Sequence, residues 1–299
     1  HLATLAAQRG IRHIRDDVTD AILDPASPTP RITAVATKEH GQIEGQLFID
    51  CTGFRRLLIS KAAPDNDFVD FKDHLLNDRA ITCRIDWTGD KPESPQGGIE
   101  SCTVSTALSA GWVWEVPLYE RAGTGYVYSS RFISDDDAEA EFLAFLRRKG
   151  YEPESTGRLK FQTGHLRRSW VGNCVTVGLS SGFIEPLEAT GIALITYQAR
   201  RLVELWPTTD FCPVLSDQYN DIMRRSYEWT RDFIVMHFCL SPRRDSDYWK
   251  HVTSDEAIPD SVRETLALYH EHWPFGESAG ADPRYRLPTE SMACVLAAF

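Results

Sequence analysis

The stretch VTVGLSSGFIEPLEATGIALITYQAR, from Val175 to Arg200, requires a strand, a glycine turn and a helix in immediate succession. Val175, Thr176 and Val177 are β-branched and stop at Gly178, the pattern of a buried strand that ends abruptly. Gly178 and Gly182 admit backbone angles and close approaches that a side chain blocks, so residues 178–183 can lie against a flat or charged ligand. Pro186 cannot continue a ladder. An apolar-periodic helix through Ile192, Ile195 and Leu202 follows, with Thr190 expected as its N-cap. A helix start presents N–H groups without helical acceptors and the positive end of the macrodipole, which makes Thr190 and Gly191 a candidate small-anion turn. Glu188 stands beside that turn in an apolar run. Desolvation there would raise its pKa and suit it to accept a proton from a charged intermediate or to partner a buried cation. Glu185, three residues earlier, is read as structural.

A second strand-like run ends at Asp50-Cys51-Thr52-Gly53. Residues 46–50 are expected to pair with 31–37 as a hairpin turning near 39–41. In open α/β sheets ligands lie beyond the carboxyl ends of strands, so the ends at Gly53 and Gly178 are expected to share a cofactor crevice. From residue 62 to 164 the pattern alternates. Strands are predicted over 81–86, 102–106, 112–116 and 125–132, forming a second, antiparallel sheet interrupted by a helix over 135–149. Gly123-Thr124-Gly125 is read as a turn. After Trp206 the chain turns mostly helical, with one helix from Ser216 to Trp229 continuing through Phe238 and another over 259–270. The fold class is therefore mixed α/β. Residues 1–60 and 165–203 form one module, 61–164 an antiparallel sheet region and 204–299 a mainly helical part.

Composition excludes several classes. A hydrophobic content of 42% supports a sizeable core, and a net charge of −11 argues against nucleic acid or a polybasic membrane contact. Seven cysteines without CxxC spacing fit reduced thiols in a cytoplasmic protein, with Cys51, Cys174 and Cys239 expected to be small buried hydrophobes. Histidines 237, 251, 270 and 272 lack metal-binding spacing, so no metal site is expected. Trp229, Tyr248, Trp249, Trp273, Phe275 and Tyr285 are read mainly as core, with a stacking role for a planar substrate as the alternative.

Three ordered segments carry a resemblance. GLSSGFIEPLEATGI, LFIDCTGFRRLL at 47–58 and GWVWEVP at 111–117 resemble motifs of the flavin-dependent halogenases usually called tryptophan halogenases, with a weaker likeness at RDFIVMHF. The resemblance implies an incomplete FAD-dependent monooxygenase-like flavoprotein fold. It implies Glu188 as catalytic, Thr190 and Gly191 as the holders of chloride or bromide, and Gly53, Gly178, Gly182, Phe183 and Ile192 as cofactor contacts. Trp112, Trp114 and Pro117 match the family's tunnel motif, which keeps substrate away from the flavin, with Val116 where the family has Ile. The implied reaction is halogenation of an electron-rich aromatic, indole or tryptophan, with oxygen and FADH2 delivered by a separate flavin reductase. A homodimer is compatible with it. The family's GxGxxG and catalytic lysine have no counterpart in these residues, so they are expected to be a fragment that is inactive alone, and Ser291-Met292 stands where a Ser-Trp is common. Two alternatives remain at this level: a flavin-dependent aromatic monooxygenase, separated by the Trp-x-Trp pair, and a non-catalytic module that binds an aromatic ligand.

Overall fold

The computed structural model describes residues 2–86, 102–119, 121–151, 153 and 155–271. In chain order its elements are α1 (Leu2–Gln8), β1 (Val18–Leu23), β2 (Ile32–Thr37), β3 (Gln42–Glu44), β4 (Phe48–Asp50), α2 (Ile59–Ala62), β5 (Phe68–Asp70), β6 (Arg79–Asp86), β7 (Val104–Leu108), β8 (Gly111–Pro117) and β9 (Arg121–Tyr128). There follow α3 (Asp135–Arg148), β10 (Thr156–Lys160), β11 (Gly164–Leu166), β12 (Trp170–Val171), β13 (Cys174–Thr176), β14 (Gly182–Phe183), α4 (Thr190–Glu204), α5 (Pro213–Cys239), α6 (Asp247–Val252) and α7 (Asp260–Glu271). The chain divides into two compact units, one of residues 1–67, 166–181 and 197–221, the other of 68–165, 182–196 and 222–299.

In the first unit β1, β2 and β3 form an antiparallel sheet, and β12, β13 and β4 form another in which β13 runs parallel to β4. The hairpin expected between 31–37 and 46–50 is therefore corrected. β2 turns back onto β3, three residues of weak strand character, and β4 is freed to pair with Cys174–Thr176. Asn173 ties the two sheets of this unit together. Its buried amide accepts from Ile32 N at 2.8 Å and donates to the carbonyls of Ile32 and Gln46 at 2.7 and 2.9 Å, satisfying backbone groups in the interior of the unit.

The second unit is built on a five-stranded antiparallel sheet in the order β10-β6-β9-β8-β7. Strand alternation divides its side chains between two cores. Val113, Tyr126 and Ile81 pack with Phe142, Phe145 and Leu146 of α3 on one face, and Trp112, Val127 and Ala80 with Phe233–Phe238 of α5 and Trp249 of α6 on the other. The N-terminus of α3 is fixed by a cap the sequence reading did not name: Ser134 Oγ accepts from Asp137 N at 3.1 Å, and three aspartates occupy the positive end. α5 runs unbroken for 27 residues, as the periodicity from Ser216 to Phe238 predicts.

The turn expected at 123–125 is also corrected. These residues lie inside β9, where a Cβ on Gly125 would sit 2.2 Å from the Trp114 ring and 2.5 Å from the Ile81 carbonyl. The glycine makes room for an indole on the neighbouring strand rather than for a change of direction.

Candidate active site

In the first unit the carboxyl ends of β4 and β13 lie side by side. Asp50, fully buried, fastens them. Its Oδ1 accepts from Thr52 N and Thr52 Oγ1 at 2.9 and 2.7 Å, its Oδ2 from Leu58 N and Ile59 N at 2.9 and 3.0 Å, and Ser180 Oγ comes within 3.2 Å of both Asp50 Oδ1 and the Gly53 carbonyl. Gly53 and Gly178 each leave their strand with φ near +70°, a conformation that side chains rarely adopt. Phe54 and Leu179, the next residues, are exposed apolar groups at these ends. Cys51, expected to be buried, is exposed here because β4 stops at Asp50 and the chain turns outward. Gly182 and Phe183 belong to the second unit as β14, where a Cβ on Gly182 would meet the Gly164 carbonyl at 2.5 Å and the Phe183 ring packs edge-on to Phe161.

The second unit contains a cavity of about 620 Å³ whose walls include Trp112, Trp114, Val116, Glu188, Gly191 and Ile192. The two indoles lie on the same face of β8, as alternation predicts, with centroids 6.2 Å apart. Pro117 closes that strand opposite Ala122. Ile192, 73% exposed on the first turn of α4, lines the cavity. Glu188 is aimed by an unusual turn: it has φ 60° and Ala189 has φ 54°, two consecutive left-handed residues that are not glycine. Across from Glu188 Oε1, at 3.9 Å, is Nε2 of His237. His237 Nδ1 donates to the Phe233 carbonyl at 2.9 Å, since that carbonyl can only accept, and burial lowers the imidazole's pKa. The neutral ring therefore turns a bare Nε2 toward the carboxylate.

Two expectations about this turn are corrected. Thr190 is the first residue of α4 and not an accepting cap. Its buried hydroxyl donates back to the Leu187 carbonyl at 3.3 Å, with the Glu185 carbonyl at 3.5 Å. The burial expected for Glu188, whose side chain is 56% exposed, is found instead at Glu185. Glu185 is wholly enclosed. Its Oε2 accepts from Trp112 Nε1 at 2.7 Å and from Asn77 Nδ2 at 2.8 Å, and desolvation still pushes the carboxyl up to about 7. Neither Glu185 as the buried group nor His237 as the neighbour of Glu188 carried a signal in the sequence beyond the apolar run around the glutamates.

Of the late aromatics, Trp229 stacks on Phe233, Tyr248 meets Phe132 and Trp249 edge-on, and Trp249 Nε1 donates to the Leu108 carbonyl at 2.7 Å, so these three are core. Trp273, Phe275, Tyr285, His272 and Ser291-Met292 lie outside the described residues. Among the described residues no three metal-ligating side chains converge, and no helix is long and apolar enough to cross a membrane.

The model of the family described as tryptophan halogenase matches residues 1–298. The chain is 37% identical over 296 residues to 7-chloro-L-tryptophan 6-halogenase KtzR of Kutzneria sp. (strain 744), covering 99% of this chain and 55% of that protein. It is 37% identical over 275 residues to tryptophan 7-halogenase RebH of Lentzea aerocolonigenes, covering 91% and 49%. The chain thus spans about half the length of the curated relatives it matches. The crystal structure of tryptophan 6-halogenase SttH from Streptomyces toxytricini superimposes with a TM-score of 0.87 at 35% identity, over 99% of this chain and 58% of that one. Such neighbours have an FAD-dependent monooxygenase-like fold, which accounts for a parallel pair and a large antiparallel sheet in one chain. A family match along nearly its whole length, relatives well above 30% identity and a shared fold place one conclusion beyond the motifs alone: the chain belongs to the tryptophan halogenase family.

Proposed function

We propose that the protein halogenates an electron-rich aromatic, an indole or tryptophan, using chloride or bromide, FAD in its reduced form and oxygen, with the reduced flavin brought by a separate reductase. The observation that carries this reading is the cavity in which Glu188, the Trp112–Trp114 wall and the start of α4 meet. Electrophilic attack on an aromatic ring leaves one proton to be removed from the attacked carbon, and Glu188 is the carboxylate at that cavity. A proton taken there finds the bare Nε2 of His237 3.9 Å away. The backbone N–H groups at the start of α4 suit a halide, since Gly191 has open space where a side chain would stand. The Thr190 side chain is assigned to holding the turn, because its hydroxyl is directed at a carbonyl.

Flavin suits the strand ends of the first unit in part: Gly53 and Gly178 leave backbone uncovered, and Phe54 and Leu179 offer apolar surface for a ring system. When bound, it supplies with oxygen the oxidising equivalent that converts halide to hypohalous acid. The indoles and Val116 then act as a wall that excludes water from the oxidant's path. The test is an assay of the protein in a form that also carries a dinucleotide-binding GxGxxG and a lysine segment, with a flavin reductase, oxygen and bromide on a panel of indoles. Brominated product that falls by about 10²- to 10⁴-fold in Glu188→Gln is expected. Hydroxylated product alone, or full activity in Glu188→Gln, overturns the reading.

A further inference from the structure

Behind the Trp112 wall lies a cluster that the proposed reaction does not use. Glu185 comes from the loop before α4, Asn77 from the loop before β6, Trp112 from β8 and Tyr248 from α6, and all four are buried to within a few per cent. A carboxylate enclosed to this degree is expensive unless each oxygen is satisfied. Here one oxygen takes two N–H donors, those of Trp112 and Asn77, while Glu185 Oε1, like the Tyr248 hydroxyl, is buried without a hydrogen-bond partner. Packing alone would be better served by leucine or methionine. What the carboxylate does that they cannot is grip the edge of one indole at 2.7 Å, the strong end of the hydrogen-bond range. That indole is part of the cavity wall.

We propose that Glu185 is a positioning residue: it holds Trp112 in the orientation that shapes the cavity and so governs how substrate and oxidant are placed there, an inference that rests on the functional reading above for its catalytic consequence. The grip tightens when Glu185 is ionised, because a carboxylate is the better acceptor, and burial sets that ionisation near pH 7. Among the groups facing Glu185, Asn77 and Trp112 do not titrate, and burial pushes the Tyr248 phenol well above its ordinary value, so it stays neutral.

The first test needs no catalysis. Excitation of indole moves electron density from the pyrrole to the benzo ring, so a negative charge at Nε1 lowers the emission energy. Between pH 5.5 and 8.5 the tryptophan emission of the protein is expected to move to the red with a midpoint near 7. Subtraction of Trp112→Phe isolates this component from the other seven tryptophans. It is expected to vanish in Trp112→Phe and in Glu185→Gln and to persist in Glu188→Gln. A red shift that survives in Glu185→Gln or in Trp112→Phe overturns the assignment.

The second test is a double-mutant cycle on brominated product. Misplacement of a wall residue by about 1 Å can cost up to ~100-fold, so Glu185→Leu is expected to lose about 10- to 100-fold in kcat/KM. Glu185→Gln keeps an acceptor oxygen and restores most of that loss. Glu185→Leu combined with Trp112→Ala should be no worse than Trp112→Ala alone within about twofold, since both remove one interaction. Additive losses refute positioning through Trp112. If no variant, wild type included, brominates any indole, the reaction assigned above fails, and the emission shift still decides the role of Glu185.

Discussion

Replacing Ala189 with glycine should make the protein more stable and less active. Glu188 and Ala189 sit at φ 60° and 54°, where an L side chain crowds its own carbonyl at a cost of about 1–2 kcal/mol per residue. The Ala189 side chain is exposed, so removing its methyl group forfeits no packing. Glycine abolishes the crowding and returns about 0.4–1 kcal/mol to the unfolded chain as entropy, leaving a net gain of about 0.5–1 kcal/mol. In a chain this long that corresponds to a rise of about 2 °C in Tm, measurable by thermal denaturation followed by circular dichroism. Gly191→Ala is the matched control. Gly191 lies in a helical turn with φ in the ordinary range and no atom within 4 Å of where a methyl group would stand, so alanine there should be neutral or slightly stabilising in its own right. Activity should move against stability at residue 189, because a turn that no longer enforces the left-handed path lets the Glu188 carboxylate wander. A loss of stability in Ala189→Gly would show that the turn is unstrained. Unchanged turnover would show that its shape does not aim Glu188.

Three further outcomes follow from other parts of the structure. The folded state holds a proton on Glu185 up to about pH 7, whereas the unfolded chain releases it near 4.5, so stability is lost as pH rises through that window; Glu185→Gln should gain on wild type by up to about 3 kcal/mol between pH 5 and 8.5, read from urea denaturation at both. Gly125→Ala would set a methyl group against the Trp114 ring and the Ile81 carbonyl, and should cost about 1–3 kcal/mol while displacing the indole from the cavity, a change visible in near-ultraviolet circular dichroism. Asn173→Ala strands the Ile32 N–H and two carbonyls in the interior of the first unit and should cost about 2–4 kcal/mol in the same denaturation assay.

Local patterns reported the second unit well and the first unit poorly, for a physical reason. Trp112, Val113 and Trp114 alternate between two cores, and Phe142, Phe145 and Leu146 mark the buried side of α3, so periodicity alone located both elements. The pairing of β4 with β13 joins residues more than a hundred positions apart, Phe48 with Cys174 and Asp50 with Thr176. Nothing between Arg31 and Asp50 distinguishes that partner from a hairpin, and β3, with two polar residues in three, gave no sign of being the true neighbour of β2. Gly123-Thr124-Gly125 points the opposite way: glycine usually marks a turn, but Gly125 answers the bulk of a tryptophan on the next strand.

The two glutamates show the same limit at the scale of a single turn. Glu185 and Glu188 are three residues apart in one apolar run, and a regular helix would have laid both on one face with similar surroundings. The left-handed pair at 188 and 189 breaks that relation, sending one carboxylate inward to Trp112 Nε1 and the other outward to the cavity and His237. Carboxylates in unlike environments can carry unlike roles on neighbouring residues, one kept from water as a clamp and one left accessible to exchange protons. Desolvation, read from the sequence as the mark of the reactive glutamate, here marks the one that holds the wall. The exposed glutamate owes its candidacy to where the turn delivers it. A proton acceptor that must work repeatedly also has to release its proton, and a half-exposed carboxylate beside a neutral imidazole has a route by which to do so.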